Sequence, residues 1–277
     1  MFQLAPGNAY VNPQVSIDGI PLNPVTEFCY LGSTLSNDAL LDKEITHRIS
    51  KASSSFGSLN ERVWKQHSIK TQTKVSVYKA VVLSNLLYGC ETWTCYRRHI
   101  KQLEQFHMRH LRAILKIKWQ DRITNVEVLE RSRCSSVEAM IIATQLRWAG
   151  HVTRMSDDRI PKQLLYGELK EGKRSRGGQK KRYKDTLKHN LTVCNINPDN
   201  WETLAADRDL WRRTLKNNTI LFENRRRDIL TAKREIRKQH QSQAATMTLT
   251  SCFICNHCNV DCHSRIGLFS HSRKHRT

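Results

Sequence analysis

From Asn37 onward the apolar residues of this chain recur every three or four positions, and that period restricts most of it to helices packed on helices. Ile45, Ile49, Ala52, Phe56, Leu59 and Val63 share one face, so residues 38–64 are expected to form one amphipathic helix, weakest around Ser53–Ser55 and Gly57. A second helix, about 69–88, carries Val75, Tyr78, Val82 and Leu86 and stops at Gly89. A third, about 96–116, presents Ile100, Leu103, Phe106, Leu111 and Ile114. His107 and His110 sit at i and i+3 on it, but no third ligand stands at a recognisable spacing, which favours ordinary core or surface histidines over a metal pair.

Two S/T-x-x-E sequences mark the next helix starts, Thr124 with Glu127 and Ser135 with Glu138. The short helix, turn and longer helix that follow have the outline of a helix-turn-helix. On the longer one Val137, Ile141, Trp148, Val152 and Met155 are expected to be buried, with Arg147, His151 and Arg154 in a row on a neighbouring side. Such a row could touch phosphate or simply face solvent. Before this helical region, Val15, Ile17 and Ile20 flank Asp18-Gly19, a hairpin turn signal, and Phe28–Leu31 ahead of Gly32 reads as a short strand. Pro6, Pro13, Pro21 and Pro24 limit every strand there. Residues 1–36 therefore look like the edge of a larger β-containing region, and 37–165 like a helical domain.

Residues 166–184 interrupt the helices with four glycines among basic side chains: Lys170, Lys173, Arg174, Arg176, Lys180, Lys181, Arg182 and Lys184. Flexible backbone lets such cations follow a polyanion, although a plain mobile linker has the same composition. The order GxxxxGK[ST] of a nucleotide cradle is missing, and Tyr183 is offered as a base-stacking ring. A helical extension over 185–238 follows. Asn197-Pro198 reads as a helix start, Trp201, Leu204 and Trp211 as its anchors, and Leu215, Phe222, Ile229 and Ile236 as a thin seam. Asn218 and Arg225 at the alternate seam positions argue against a coiled coil, whereas Arg225, Arg226 and Arg227 could lie along nucleic acid. Residues 239–251, rich in Gln, Ala, Ser and Thr, are expected to be a tether.

The most specific local signal comes after it, over 252–277. Cys255 and Cys258 form a CxxC pair, and His271 and His275 follow at the spacing of a two-cysteine, two-histidine zinc finger. Phe253 and Leu268 occupy places where such a module keeps its small core, while Cys262 stands where an aromatic is usual. Cys252, His257, Cys262 and His263 crowd the same stretch, so a different set of four ligands or an inert tail stays open. The finger helix, about 264–275, would place Ser264 and Arg265 at a groove of nucleic acid.

Composition agrees with a polyanionic partner. The 277 residues hold 46 Lys+Arg against 25 Asp+Glu, a net charge of +21. That excess points to RNA and/or DNA and gives no hint of a small-molecule substrate. The scattered cysteines imply a reducing compartment, and no leader or apolar run long enough for a bilayer is evident. Taken together these features lead us to expect an intracellular protein, of nucleus and/or cytoplasm.

Four segments carry a resemblance: Phe28-Cys-Tyr-Leu-Gly-Ser-Thr-Leu35, Leu87-Tyr-Gly-Cys-Glu-Thr-Trp93, Gln145-Leu-Arg-Trp-Ala-Gly-His-Val-Thr-Arg-Met155 and Gly177-Gly-Gln-Lys-Lys-Arg-Tyr-Lys-Asp-Thr-Leu187. They closely resemble the C-terminal part of the reverse transcriptase of animal non-LTR retrotransposons. The resemblance implies the end of a palm, a helical thumb with its extension, and a lone ββα zinc finger. It also implies a palm as partner, supplied by the rest of the polyprotein or in trans. The family's polymerase site is an aromatic-x-Asp-Asp turn with a further aspartate, holding two magnesium ions. This sequence has no such turn. Asp157-Asp158 follows Met155-Ser156 and reads as a helix end. The expectation is therefore a mainly α chain that binds nucleic acid and zinc and is not itself an enzyme; a finger that binds protein is the alternative.

Overall fold

A computed structural model of the chain describes residues 14–38, 40–167, 180–250 and 253–275, with backbone alone over 243–250. The chain divides into two compact bodies, Met1–Arg225 and Arg226–Thr277. It is mainly α, as expected. Two antiparallel hairpins open the first body: β1 (Ser16–Ile17) with β2 (Ile20–Pro21), and β3 (Glu27–Tyr30) with β4 (Ser33–Ser36). Both turns place two residues at positive φ, Asp18 and Gly19 in one, Leu31 and Gly32 in the other. That is the twist two-residue hairpins require. Asp-Gly advertises the turn in sequence and Leu-Gly does not, so the second hairpin was legible only as a single strand.

The second hairpin is held from below by α1 (Asp42–Ser58). Glu44 and Arg48, buried and one turn apart, form an ion pair at 2.6 Å. Glu44 also accepts the Thr34 amide at 2.6 Å, and Arg48 donates to the Gly32 carbonyl and the Ser33 hydroxyl. A buried charge pair is tolerable only with its remaining hydrogen-bond capacity filled, which the hairpin does. The helix begins at Asp42 rather than at 38 and ends at Ser58 in a π-type turn, Asn60–Trp64. That turn folds Trp64 back onto Phe56, with stacked rings 4.7 Å apart and the indole N–H donating to the Phe56 carbonyl at 2.7 Å. The turn thus satisfies one of the open carbonyls at the helix end.

The expected second helix is a continuous helical run built from α2 (Thr71–Val77), a π-type segment Tyr78–Leu83 and α3 (Ser84–Leu86), closed by Gly89 at φ +75°. Next come α4 (Arg97–Ile114), α5 (Asn125–Ser132), α6 (Val137–Thr153) and α7 (Ile160–Tyr166). Thr124 caps α5 as read, its hydroxyl accepting the Glu127 amide. The cap of α6 is Ser136, one residue later than expected, accepting from the Ala139 amide. Ser136 is selected because it is fully buried and its hydroxyl simultaneously donates to Glu223 at 2.6 Å, a partner 87 residues away.

Helix α6 is apolar on nearly every side, and it separates two cores. Val137 and Ile141 join the first, with Ile45, Tyr78, Leu86, Leu103 and Leu111. Ile142, Leu146 and Ala149 join the second, with Leu191, Trp201, Trp211 and Leu215. Gln145 lies between, donating to the Cys90 and Trp93 carbonyls at 3.0 and 2.7 Å and accepting from Asn190 at 2.6 Å. The second core is completed by α8 (Tyr183–Val193), α9 (Trp201–Ala206) and the first turns of α10 (Arg208–Thr250). At Gly150 the Trp211 indole comes so close that a Cβ would sit 2.2 Å from its ring nitrogen, which donates to the Leu146 carbonyl.

Three expectations shift here. Asn197-Pro198 forms a turn and the helix starts at Trp201, because the Asn197 side chain accepts the Asp199 amide and holds the chain in a bend. Tyr183 is the first residue of α8 and packs half-buried against the second core, rather than standing on a glycine-rich loop. Residues 239–250, read as a tether, continue α10, since the glutamines and alanines of that stretch favour helix as well as linker.

Candidate metal centre and cationic surfaces

In the second body the chain from Phe253 to His275 builds one cluster. An antiparallel bridge joins Ile254 to Asp261, with Cys255 N–H donating to the Val260 carbonyl and Cys262 N–H to that of Phe253. Asn259 and His263 take positive φ, which lets so short a strand pair turn back twice. Ser264 then caps α11 (Arg265–Ser272), its hydroxyl accepting the Gly267 amide at 3.0 Å, and a 3₁₀ turn, Arg273–His275, follows.

These elements bring one ligand atom each of Cys255, Cys258, His271 and His275 within 4.8 Å of one another. Cys258 Sγ lies 2.9 Å from His271 Nε2, and the Nε2 atoms of His271 and His275 are 3.2 Å apart. Two thiolates and two imidazoles around a tetrahedral zinc would be spaced by about 3.3–3.8 Å, given Zn–S and Zn–N bonds of about 2.3 and 2.0 Å. By donor type, two thiols and two imidazoles at a common point could hold a metal ion of this kind. The backbone amide of His257, with that of Cys258, draws the Cys255 thiol below its ordinary pKa, favouring the thiolate a metal needs. Among the described residues no other group of three or more His, Cys, Asp or Glu is so arranged.

The neighbouring candidates fall outside this set. His257 stacks on His275 with ring centroids 5.3 Å apart, and His263 leans toward Asp261. Cys262 is half-buried with its sulfur near the Val260 carbonyl, and burial raises its pKa. Cys252 lies outside the described residues. The apolar support is thin: Phe253 and Leu268 are half-buried, while Ile266 and Phe269 are 80% and 64% exposed.

His107 and His110 belong to the first core. His107 is fully buried between the Tyr78 hydroxyl at 2.9 Å and the Ser135 carbonyl at 3.3 Å, and burial depresses its pKa to about 4. His110 is half-buried and its Nδ1 meets the Phe106 carbonyl at 2.8 Å; among the described residues it joins no group that could hold a metal.

A Caenorhabditis elegans protein described as transposon-derived is similar. It is 26% identical over 206 residues, spanning 72% of this chain and 73% of its own length. This likeness points to a transposon origin. No protein-family profile matches the chain, and no solved structure matches it. Among the described residues no helix is long and apolar enough to cross a membrane.

The basic side chains singled out in the sequence are differently placed. Lys170, Lys173, Arg174 and Arg176 lie outside the described residues. Lys180 donates to the Asp38 carbonyl at 2.6 Å, Lys181 to the Cys95 carbonyl at 3.2 Å with its ammonium over the Tyr96 ring, and Arg182 pairs with Asp185 at 3.1 Å. Arg225 donates to Asn195 and to the Val193 carbonyl, fixing the end of α8. Arg226 and Arg227 are half-buried. Arg265 opens α11 and is exposed, whereas Ser264 is engaged as the cap.

On the first body, Arg147, His151 and Arg154 do form a row on α6. The sequence reading missed its counterpart, Arg208, Arg212 and Lys216 on α10, although their spacing of four residues was visible.

Proposed function

We propose that this chain is a nucleic-acid-binding, C-terminal portion of a non-LTR retrotransposon reverse transcriptase, in which Cys255, Cys258, His271 and His275 hold one zinc ion. The convergence of those four side chains is the observation that carries the reading, because a chance Cys/His-rich tail has no reason to gather two thiols and two imidazoles at a common point. The transposon-derived relative, the order of segments and the charge of +21 support it.

Bound zinc would contribute the folding free energy of the tail, about 10–16 kcal/mol of apparent binding energy in comparable peptides. The residues of this chain do the rest: α11 presents Arg265 at its exposed first turn, and cations of the first body neutralise phosphate. A single finger reads about three base pairs, so site choice by the finger alone would be poor.

The chain's work is gripping rather than chemistry. Its sequence offers no aromatic-x-Asp-Asp turn, and the adjacent aspartates Asp157 and Asp158 sit just beyond the end of α6, where Asp157 is 95% exposed and paired with Lys162 at 2.8 Å. A salt titration of RNA and DNA binding by the purified chain tests the reading. Affinity should fall by roughly 0.9 log units per decade of salt for each phosphate neutralised on duplex DNA. No binding at low salt would refute it, and primer extension by the isolated chain would refute the non-catalytic part.

A further inference from the structure

Helix α6 and the first three turns of α10 enclose an open groove of about 960 Å³ in the first body. One wall carries Arg147, His151 and Arg154, the other Arg208, Arg212 and Lys216. Only Arg154 among them is engaged, through a hydrogen bond to the Ala205 carbonyl; the other five have no hydrogen-bond or ion-pair partner among the described residues. Glu91 is the single acid lining the groove. Five exposed cationic or titratable heads facing one another cost the fold self-repulsion and return no hydrogen bond or ion pair among the described residues, so the arrangement calls for an anion.

The groove is more than a charged surface. Trp148 lies in it, half-buried, its ring tilted against His151 with centroids 5.5 Å apart, and Trp211 and Leu215 form the apolar floor. Cations along two rims with an aromatic ring between them suit a strand whose bases are free to stack. A duplex keeps its base faces inside its own stack and would leave the indole unused. At 1.5 Å rise per residue the two basic rows run about 10 and 12 Å, on the order of three nucleotides.

We infer that this groove is a binding site for single-stranded RNA or DNA, with the phosphates between the α6 and α10 rows and one base against Trp148. The inference rests on the nucleic-acid reading above and adds a site separate from the Cys/His cluster.

The test uses the full chain with labelled oligo(U), oligo(dT) and a duplex of equal length, followed by anisotropy at several salt concentrations. The triple reversal Arg147→Glu, Arg212→Glu and Lys216→Glu should weaken single-strand binding at least about tenfold and flatten the salt slope by about 0.7 for each phosphate no longer neutralised. Trp148→Leu should weaken it roughly tenfold with the slope unchanged, and Trp148→Phe should restore most of the loss. Quenching of tryptophan fluorescence by unlabelled oligo(U) or oligo(dT), absent in Trp148→Leu, reads the same stacking in a protein whose fold is otherwise intact.

Groove variants that bind single strands as tightly as the parent would overturn the inference while leaving the nucleic-acid reading standing. Duplex bound as tightly as single strands, and weakened in step with them, would overturn the single-strand assignment. A parent chain that binds none of the three probes would overturn the nucleic-acid reading itself and this inference with it. Preference between oligo(U) and oligo(dT) tells RNA from DNA within the supported outcome.

Discussion

The two bodies of this chain answer the same problem, how to offset the entropy of ordering a backbone, in opposite ways. The first buries whole side chains, among them Tyr78, Leu103, Leu146 and Trp211, in two cores divided by α6. The described part of the second, from Phe253 on, buries almost nothing but Cys255 and leaves Ile254, Val260, Ile266 and Phe269 exposed. Its cysteines differ accordingly. Burial pushes the Cys90 and Cys95 thiols of the first body up to about 12, so they behave as packed apolar groups, whereas amide hydrogen bonds lower that of Cys255. One residue type thus serves as filler in one place and as a candidate ligand in the other, and the local surroundings decide which.

The largest effect expected from this contrast is at Cys258. Cys258→Ser should abolish stoichiometric zinc binding, measured as metal content after dialysis, and remove most of the about 10–16 kcal/mol that orders the tail. Denaturant unfolding followed by tryptophan fluorescence should not change, since all six tryptophans precede Arg226. The reciprocal change comes next. Trp211→Ala removes the indole that fills the space over Gly150 and should cost the first body about 3–5 kcal/mol, with metal affinity unaltered. A midpoint shift in both bodies for either substitution would break the comparison.

A smaller effect separates the two by acid. His107 has its pKa depressed from 6.5 to about 4 by burial, so the folded state holds it neutral while the unfolded chain takes a proton. Its contribution is complete above about pH 6.5 and is lost as the pH falls toward 4, up to roughly 3 kcal/mol. Urea midpoints read by tryptophan fluorescence across that window should fall with pH, and His107→Gln should flatten the dependence. Equal slopes for parent and variant would remove His107 from the account.

Much of the fold could be read locally. The period of α1 to α4, the Thr124 cap and the ligand spacing of the tail all depend on residues a turn or a hairpin apart. What sequence hid depends on distant partners. Ser136 rather than Ser135 caps α6 because Glu223 meets it, and the groove exists only because Arg147 and Arg212, 65 positions apart, are brought to facing walls. The Leu31-Gly32 turn was hidden for a different reason, since leucine seldom occupies positive φ.

The claim that packing orders one body and metal the other is tested most directly by hydrogen exchange of the full chain with and without a zinc chelator. Amides of 254–275 should lose their protection on chelation while those of α4 and α6 keep theirs. Retained protection in the tail, or a parallel loss in α4 and α6, would contradict it.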